Sequence, residues 1–250
     1  MILKEDSSEQ KLRGAYYTPL KLAQKMVDFF KDDLSIKSIL EPSCGDGVFV
    51  DALLESQFLS QHKRVTAIEI EKKEAEKLSE KLKNNSNIDV VNGDFFEFYH
   101  KHKDMDTYDL ILGNPPYEEV RGNSQKTQKA TAFLDKYLEW LHDEGFIGII
   151  LPESFLQNDS SILQRKKLLN EFDIMELWML PGQIFENNCS TIVLIAQKKK
   201  TQCECLTKIK VLVRNKESIR DYFKHRRWDF EFFINIQNSW KNEPRYRISV

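Results

Sequence analysis

Cysteine is scarce in this chain: four residues in 250, Cys44, Cys189, Cys203 and Cys205, with no CxxC pair and no zinc spacing. That argues against a disulfide-stapled scaffold and against a structural zinc site, and it predicts reduced, mostly structural thiols. Cys203-x-Cys205 has a spacing unusual for a metal or redox pair, so no metal is expected. No apolar run approaches the roughly 20 residues a membrane helix needs, so no membrane partner is expected either. Met1 to Gln10 is polar and acidic, unlike a secretory leader, and a cytoplasmic protein is the expectation. Internal repeats and low-complexity tracts are absent. Glycine is sparse as well. Val48, Phe49 and Val50 follow Gly45-Asp46-Gly47, so the third glycine of a dinucleotide fingerprint is missing and a phosphate-binding loop is a weak reading.

Net positive charge is also lacking: the balance over the whole chain is −2. Its distribution is uneven. Lys198 to Val250 holds 14 basic against 6 acidic residues, a net of +8, whereas residues 1–197 hold 23 basic against 33 acidic, a net of −10. A basic end on an acidic body suits a DNA-facing segment. A solvated basic tail is the plainer alternative.

What is present is an ordinary globular mixture, 41% hydrophobic and 30% charged, with enough apolar material for a sizeable core. Thr18 reads as an N-cap with Pro19 at the first helical position, opening an amphipathic helix over 19–31. Short apolar strands are expected at 38–41, 65–70, 89–92, 108–113, 146–151, 174–180 and 191–196. Helices are expected between them, near 47–56, 71–84, 131–142 and 161–170. Strands alternating with helices predict an α/β fold, doubly wound around a mostly parallel seven-stranded sheet. The texture changes to Arg, Lys and aromatics near residue 200, so 1–200 is taken as one domain and 201–250 as the start of another region.

In such a fold, ligands sit beyond the carboxyl ends of the strands, and the unusual residues fall there. Glu41 with Gly45 and Gly47 follows the first strand, Glu69 ends the second, Asp94 follows the third and Asn114 the fourth. A short G-x-G turn preceded by an acid suits a nucleoside with an amino-acid tail. Glu69 stands where a ribose hydroxyl acceptor is usual, or it is a plain surface acid. Asp94 can accept from an adenine amine and Phe95 can flank the ring. Read alone, Asp94 is equally a cap residue and Phe95 equally core.

The most specific string is Asn114-Pro115-Pro116-Tyr117 after the apolar run of the fourth strand. Two prolines stiffen the loop and carry no N–H, so the carbonyls beside them can be aimed at a ligand. An exocyclic amine conjugated with an aromatic ring is a poor nucleophile. The Asn114 side-chain oxygen and the Pro115 carbonyl can accept its two hydrogens and favour a pyramidal nitrogen, while Tyr117 can stack on the base. Aromatic faces also stabilise a sulfonium cation.

These motifs in this order resemble the gamma class of N6-adenine DNA methyltransferases of restriction–modification systems. The resemblance covers roughly residues 13–200. Tyr16-Tyr17-Thr18-Pro19 matches the N-terminal motif that contacts the methionine part of S-adenosylmethionine. Leu40 to Gly47 resembles the cofactor loop, Ala67-Ile68-Glu69 the ribose site and Gly93-Asp94-Phe95 the adenine site. Asn114 to Tyr117 matches the catalytic tetrapeptide. Leu180-Pro181-Gly182-Gln183-Ile184-Phe185 is similar to the motif whose aromatic stacks on the flipped base. That nominates Phe185, with core packing as the alternative.

The resemblance thus implies a Rossmann-like class I methyltransferase with S-adenosyl-L-methionine as cofactor, methylating adenine in double-stranded DNA. Arg121, Lys126 and Lys129, in the polar run after the tetrapeptide, are candidates for phosphate contacts or belong to a plain surface loop. Members carry a target-recognition region after the catalytic domain, so residues 201–250 read as its truncated beginning. A recognition domain or a cognate nuclease is expected outside the chain. Two rivals remain: a protein glutamine methyltransferase, which shares the tetrapeptide, and a non-catalytic cofactor- or DNA-binding subunit.

Overall fold

The computed structural model describes residues 17–59, 62–104, 107–117, 119–121, 126–180, 184–185, 190–199 and 208–211. At its centre is β1 (Ser38–Glu41), flanked in parallel by β2 (Arg64–Glu69) and β4 (Tyr108–Gly113). Beyond β2 lies β3 (Ile88–Asn92), also parallel, and beyond β4 lies β7 (Leu141–Pro152). β9 (Thr191–Lys198) runs antiparallel between β7 and β8 (Phe172–Leu180). A short β10 (Lys208–Val211) pairs parallel to β8 at the edge. The full order is β10-β8-β9-β7-β4-β1-β2-β3. The seven expected strands are all present, and β10 is an eighth, beyond residue 200. Otherwise the expected segment 201–250 lies outside the described residues.

The chain leaves β1 toward β2 and β3 on one side, then returns to place β4 on the other. This reversal is the switch point at which open α/β sheets bind ligands. Successive residues of β4 alternate between the two faces. Leu110 and Leu112 pack with α1 (Leu20–Asp28) and α2 (Val48–Glu55), through Met26, Val27, Phe49 and Leu53. Ile111 packs on the opposite face with α4 (Phe95–His102) and α5 (Lys129–Trp140), through Phe95, Leu134 and Tyr137. A period of two on a strand met by apolar helices on both sides gives the near-continuous hydrophobic run seen in sequence. α3 (Lys72–Leu82) covers β2 and the glycine turn with Leu78 and Leu82, its inner stripe, and α6 (Ile162–Glu171) leads into β8.

Three features differ from expectation. α4 was not foreseen, although Asp94 caps it by accepting from the Phe96 and Glu97 N–H groups, and Phe95, Phe96, Phe98 and Tyr99 place rings on it. A two-stranded ribbon, β5 (Glu119–Arg121) and β6 (Lys126–Gln128), follows the tetrapeptide. Thr18 is not an N-cap: Pro19 holds the cap position without a side-chain bond, and its carbonyl accepts from Leu22 and Ala23. The Thr18 hydroxyl is used elsewhere.

Candidate active site

The chemistry-bearing residues gather at the carboxyl ends of β1, β2, β3 and β4. After β1 the chain turns through Gly45 (φ +55°) and Gly47 (φ +85°), left-handed conformations that favour glycine. A side chain at Gly47 would also collide with Leu78 of α3, so this glycine lets α3 close over the turn. Tyr17 lies against Gly45, its ring edge 3.8 Å from where a Cβ would stand. It is 44% exposed, and it joins the N-terminal motif to the glycine turn. Tyr16 lies outside the described residues.

Glu69 closes the turn from the next strand. Its Oε2 accepts the Gly45 N–H at 2.7 Å and its Oε1 accepts the Glu71 N–H at 2.8 Å. A carboxylate has about four lone-pair sites, so acceptor capacity remains for a hydroxyl. Burial raises the pKa of Glu69, against the pull of its two backbone bonds. Asp94 spends Oδ1 on the helix cap, and Oδ2 remains as an acceptor. At neighbouring Gly93 nothing stands within 4 Å of an added Cβ.

Beneath this rim lies Glu41, 1% exposed, with Oε2 lacking a hydrogen-bond partner. Burial first, then the charges of Asp46, Asp51 and Glu69, hold its carboxyl well above the ordinary range. Asp46 is raised too, chiefly by burial. The buried Tyr137 hydroxyl, reaching from α5, faces Ser43 and Glu41 without forming a hydrogen bond of normal geometry. Neither Ser43 nor Tyr137 was singled out in the sequence. Ser43 is a small polar residue of the 40–47 loop with no spacing to mark it, and Tyr137 lies in an apolar helical stripe indistinguishable from core.

Asn114 stands at the end of β4. Its Nδ2 donates to Thr18 Oγ1 at 3.2 Å, its Oδ1 accepts the Tyr117 hydroxyl at 2.5 Å, and its backbone carbonyl is 3.5 Å from Ser43 Oγ. Pro115 is buried and Pro116 half-buried. Tyr117 is half-buried where the two main apolar clusters meet. Tetrapeptide, glycine turn and N-terminal motif therefore form one site, although Thr18 and Asn114 are 96 positions apart.

Two nominated rings sit elsewhere. Phe95 is 3% exposed, stacked on Phe133 at 4.9 Å and edge-on to Tyr137 at 5.3 Å. It is a core ring beneath the site, not a flank for a ligand, because α4 turns it inward. Phe185 is likewise 3% exposed and belongs to the buried apolar cluster that includes Phe49, Trp178, Leu180 and Val193. It is a buried member of that cluster instead of a ring lining an open cleft. Residues 181–183 and 186–189 around it lie outside the described residues. Arg121 and Lys126 are register partners across the β5–β6 ribbon, and residues 122–125 lie outside the described residues. Lys129 is half-buried at the start of α5.

The donor set fits S-adenosylmethionine. Three acidic side chains, Glu41, Asp46 and Glu69, cluster at the turn with other carboxylates as their charged neighbours, and Glu41 keeps an unpartnered buried oxygen. A cation bound beside them would favour their ionised forms. Among the described residues no group of three His, Cys, Asp or Glu is placed to hold a metal ion, and no helix is long and apolar enough to cross a membrane.

Sheet order and the ligand crevice at the strand ends together give the fold of the class I methyltransferases. The family model for N-6 DNA Methylase matches residues 1–247, and the chain belongs to that family, whose cofactor is S-adenosylmethionine. The type II methyltransferase M.AccI of Acinetobacter calcoaceticus is 25% identical over 230 residues, covering 84% of this chain and 40% of that protein. The modification methylase CviBIII of Paramecium bursaria Chlorella virus NC1A is 30% identical over 196 residues, 74% of this chain and 48% of that one. The chain thus spans less than half the length of either relative. The methyltransferase subunit of a type I restriction–modification system from Streptococcus thermophilus shares the fold, with a TM-score of 0.65 and 22% identity, over 76% of this chain and 46% of that one.

Proposed function

We propose that this chain is the catalytic part of a site-specific DNA adenine-N6 methyltransferase, the modification activity of a restriction–modification system. The observation that carries this reading is the fixed amide of Asn114, held between Thr18 and Tyr117 at the sheet's switch point. Adenine N6 is a weak nucleophile because its lone pair is delocalised into the ring. It is also paired inside the duplex, so the base must be turned out to react. Asn114 Oδ1 and the Pro115 carbonyl accept the two amine hydrogens, which favours a pyramidal nitrogen with its lone pair available. Pro115 and Pro116 fix the loop so that these acceptors hold their places. The Tyr117 ring replaces the stacking that the base loses.

Tyr17, Glu41, Gly45, Gly47, Glu69 and Asp94 form the cofactor site, and Thr18 adjoins it with its hydroxyl turned to Asn114. S-adenosylmethionine supplies an activated methyl group carried on a sulfonium. Glu69 receives the ribose hydroxyls and Asp94 the adenine amine. No general acid, base or metal is needed from the chain, because orientation supplies most of the rate. Arg121, Lys126 and Lys129 are assigned to DNA phosphates, and base-sequence recognition to a region or subunit beyond the catalytic domain, with any nuclease as a separate partner. The family match supports DNA as the substrate over a protein glutamine side chain.

The test is transfer of labelled methyl from S-adenosylmethionine to unmethylated plasmid DNA, with the product nucleoside identified after digestion. N6-methyladenine is the expected product. Asn114→Ala should lower turnover by about a hundredfold, the scale of lost orientation, while the cofactor still binds. Wild-type turnover in that variant, or another methylated nucleoside, would overturn the reading.

A further inference from the structure

We propose that Thr18 is a positioning residue for methyl transfer: its hydroxyl decides which end of the Asn114 amide meets the target amine. The inference rests on the role given to Asn114 above. An asparagine amide has two ends of nearly the same shape and opposite hydrogen-bonding character. Turned one way, Asn114 offers an oxygen to the amine hydrogens. Turned the other way, it opposes an NH2 to an NH2, and the nitrogen is pushed away instead of oriented.

Two hydroxyls flank this amide. The Tyr117 hydroxyl lies 2.5 Å from Oδ1, and Thr18 Oγ1 lies 3.2 Å from Nδ2. A phenol is a better donor and a poorer acceptor than an aliphatic hydroxyl, so the tyrosine takes the oxygen and the threonine takes the NH2. Thr18 is available for this because it does not cap α1. It is also 5% exposed, so water competes little for its oxygen. The target amine approaches the same oxygen that Tyr117 donates to, and an amide oxygen has two lone pairs to offer. The Thr18 bond, on the far end of the amide, is not displaced and keeps Oδ1 facing the amine. The N-terminal motif thus acts on the nucleophile's side of the reaction as well as beside the cofactor.

The full chain is tested with Thr18→Val, which keeps the shape and removes the acceptor, and Thr18→Ser, which keeps the acceptor. Thr18→Val should bind S-adenosylmethionine within about twofold of wild type in calorimetric titration, yet lose tenfold or more, on the order of a misplaced reacting group, in kcat on unmethylated plasmid DNA. KM for the DNA should barely move, and Thr18→Ser should recover most of the kcat. In spectra of asparagine-labelled protein without DNA, one Asn114 side-chain amide proton should be shifted and slow to exchange in wild type and in Thr18→Ser, but not in Thr18→Val. Unchanged kcat in Thr18→Val, or a loss confined to cofactor affinity, would overturn the proposal. Unchanged Asn114 amide resonances in Thr18→Val would overturn the hydrogen bond itself. Wild-type protein that methylates no adenine would instead defeat the proposed function, a result these resonances do not depend on.

Discussion

Gly45 donates its backbone N–H to Glu69 Oε2 at 2.7 Å, so the residue expected to receive the cofactor's ribose also sets the shape of the glycine turn. The carboxylate links the ends of β1 and β2 across the parallel pair in which Glu41 stands opposite Ala67.

Removing that link acts twice on the same equilibrium. Glu69→Ala deletes a charge-assisted acceptor for the ribose and releases the Gly45 and Glu71 N–H groups. S-adenosylmethionine affinity should fall by about 1.5–3 kcal/mol, the scale of hydrogen bonds to a charged group. Calorimetric titration that gives wild-type affinity would remove Glu69 from the cofactor site.

Glu41 makes stability depend on pH in a predictable sense. Its carboxyl is held well above the ordinary value of 4.5 in the folded chain, by burial first and neighbouring carboxylates next. The folded state therefore keeps a proton that the unfolded chain releases. This contribution to stability is intact below the unfolded value and is lost as pH rises through the folded one. Glu41→Gln carries no such group, so its melting temperature relative to wild type should climb from acid toward neutral pH in the absence of cofactor. Asp46 and Glu69 shift in the same direction in both proteins and cancel from the difference. Melting curves that stay parallel across that range would show that Glu41 is not strained by ionisation.

Most of the sheet was legible because its inner strands are short apolar runs buried on both faces, and the observed strands lie over the expected ones. The strand-end acids and the tetrapeptide were legible for the same reason: polar residues at the ends of such runs have few places to go. What stayed hidden depends on direction. Asp94 is a helix cap, and so is compatible with both a structural and a ligand role. Phe95 follows it at a helix start, and its spacing does not say which side of that helix meets Phe133. Thr18 has the composition of a cap, yet its hydroxyl reaches a residue 96 positions away. Tyr137 reads as one more apolar residue of α5, and only the fold brings its hydroxyl to Ser43 and Glu41.

Phe185 poses the sharpest choice between stacking surface and core. Its position after Pro181-Gly182-Gln183 suggested a ring held against the flipped base, but the ring is 3% exposed within the apolar cluster that includes Phe49, Trp178, Leu180 and Val193. A buried phenylalanine cut to alanine leaves a cavity, and Phe185→Ala should cost about 3–5 kcal/mol of folding stability by denaturant titration. Transfer would fall as well, because Tyr117 packs against the same cluster, so activity in that variant does not separate the roles. Phe185→Leu does. Leucine keeps most of the volume and the apolar contact, with a stability cost of about 1.5 kcal/mol or less if the site repacks, but it has no ring to stack on a base. As a core residue, Phe185 tolerates leucine with near wild-type kcat on plasmid DNA. A stacking residue would show the reverse, a folded and stable leucine variant with strongly reduced transfer, and that result would return Phe185 to the target-base site.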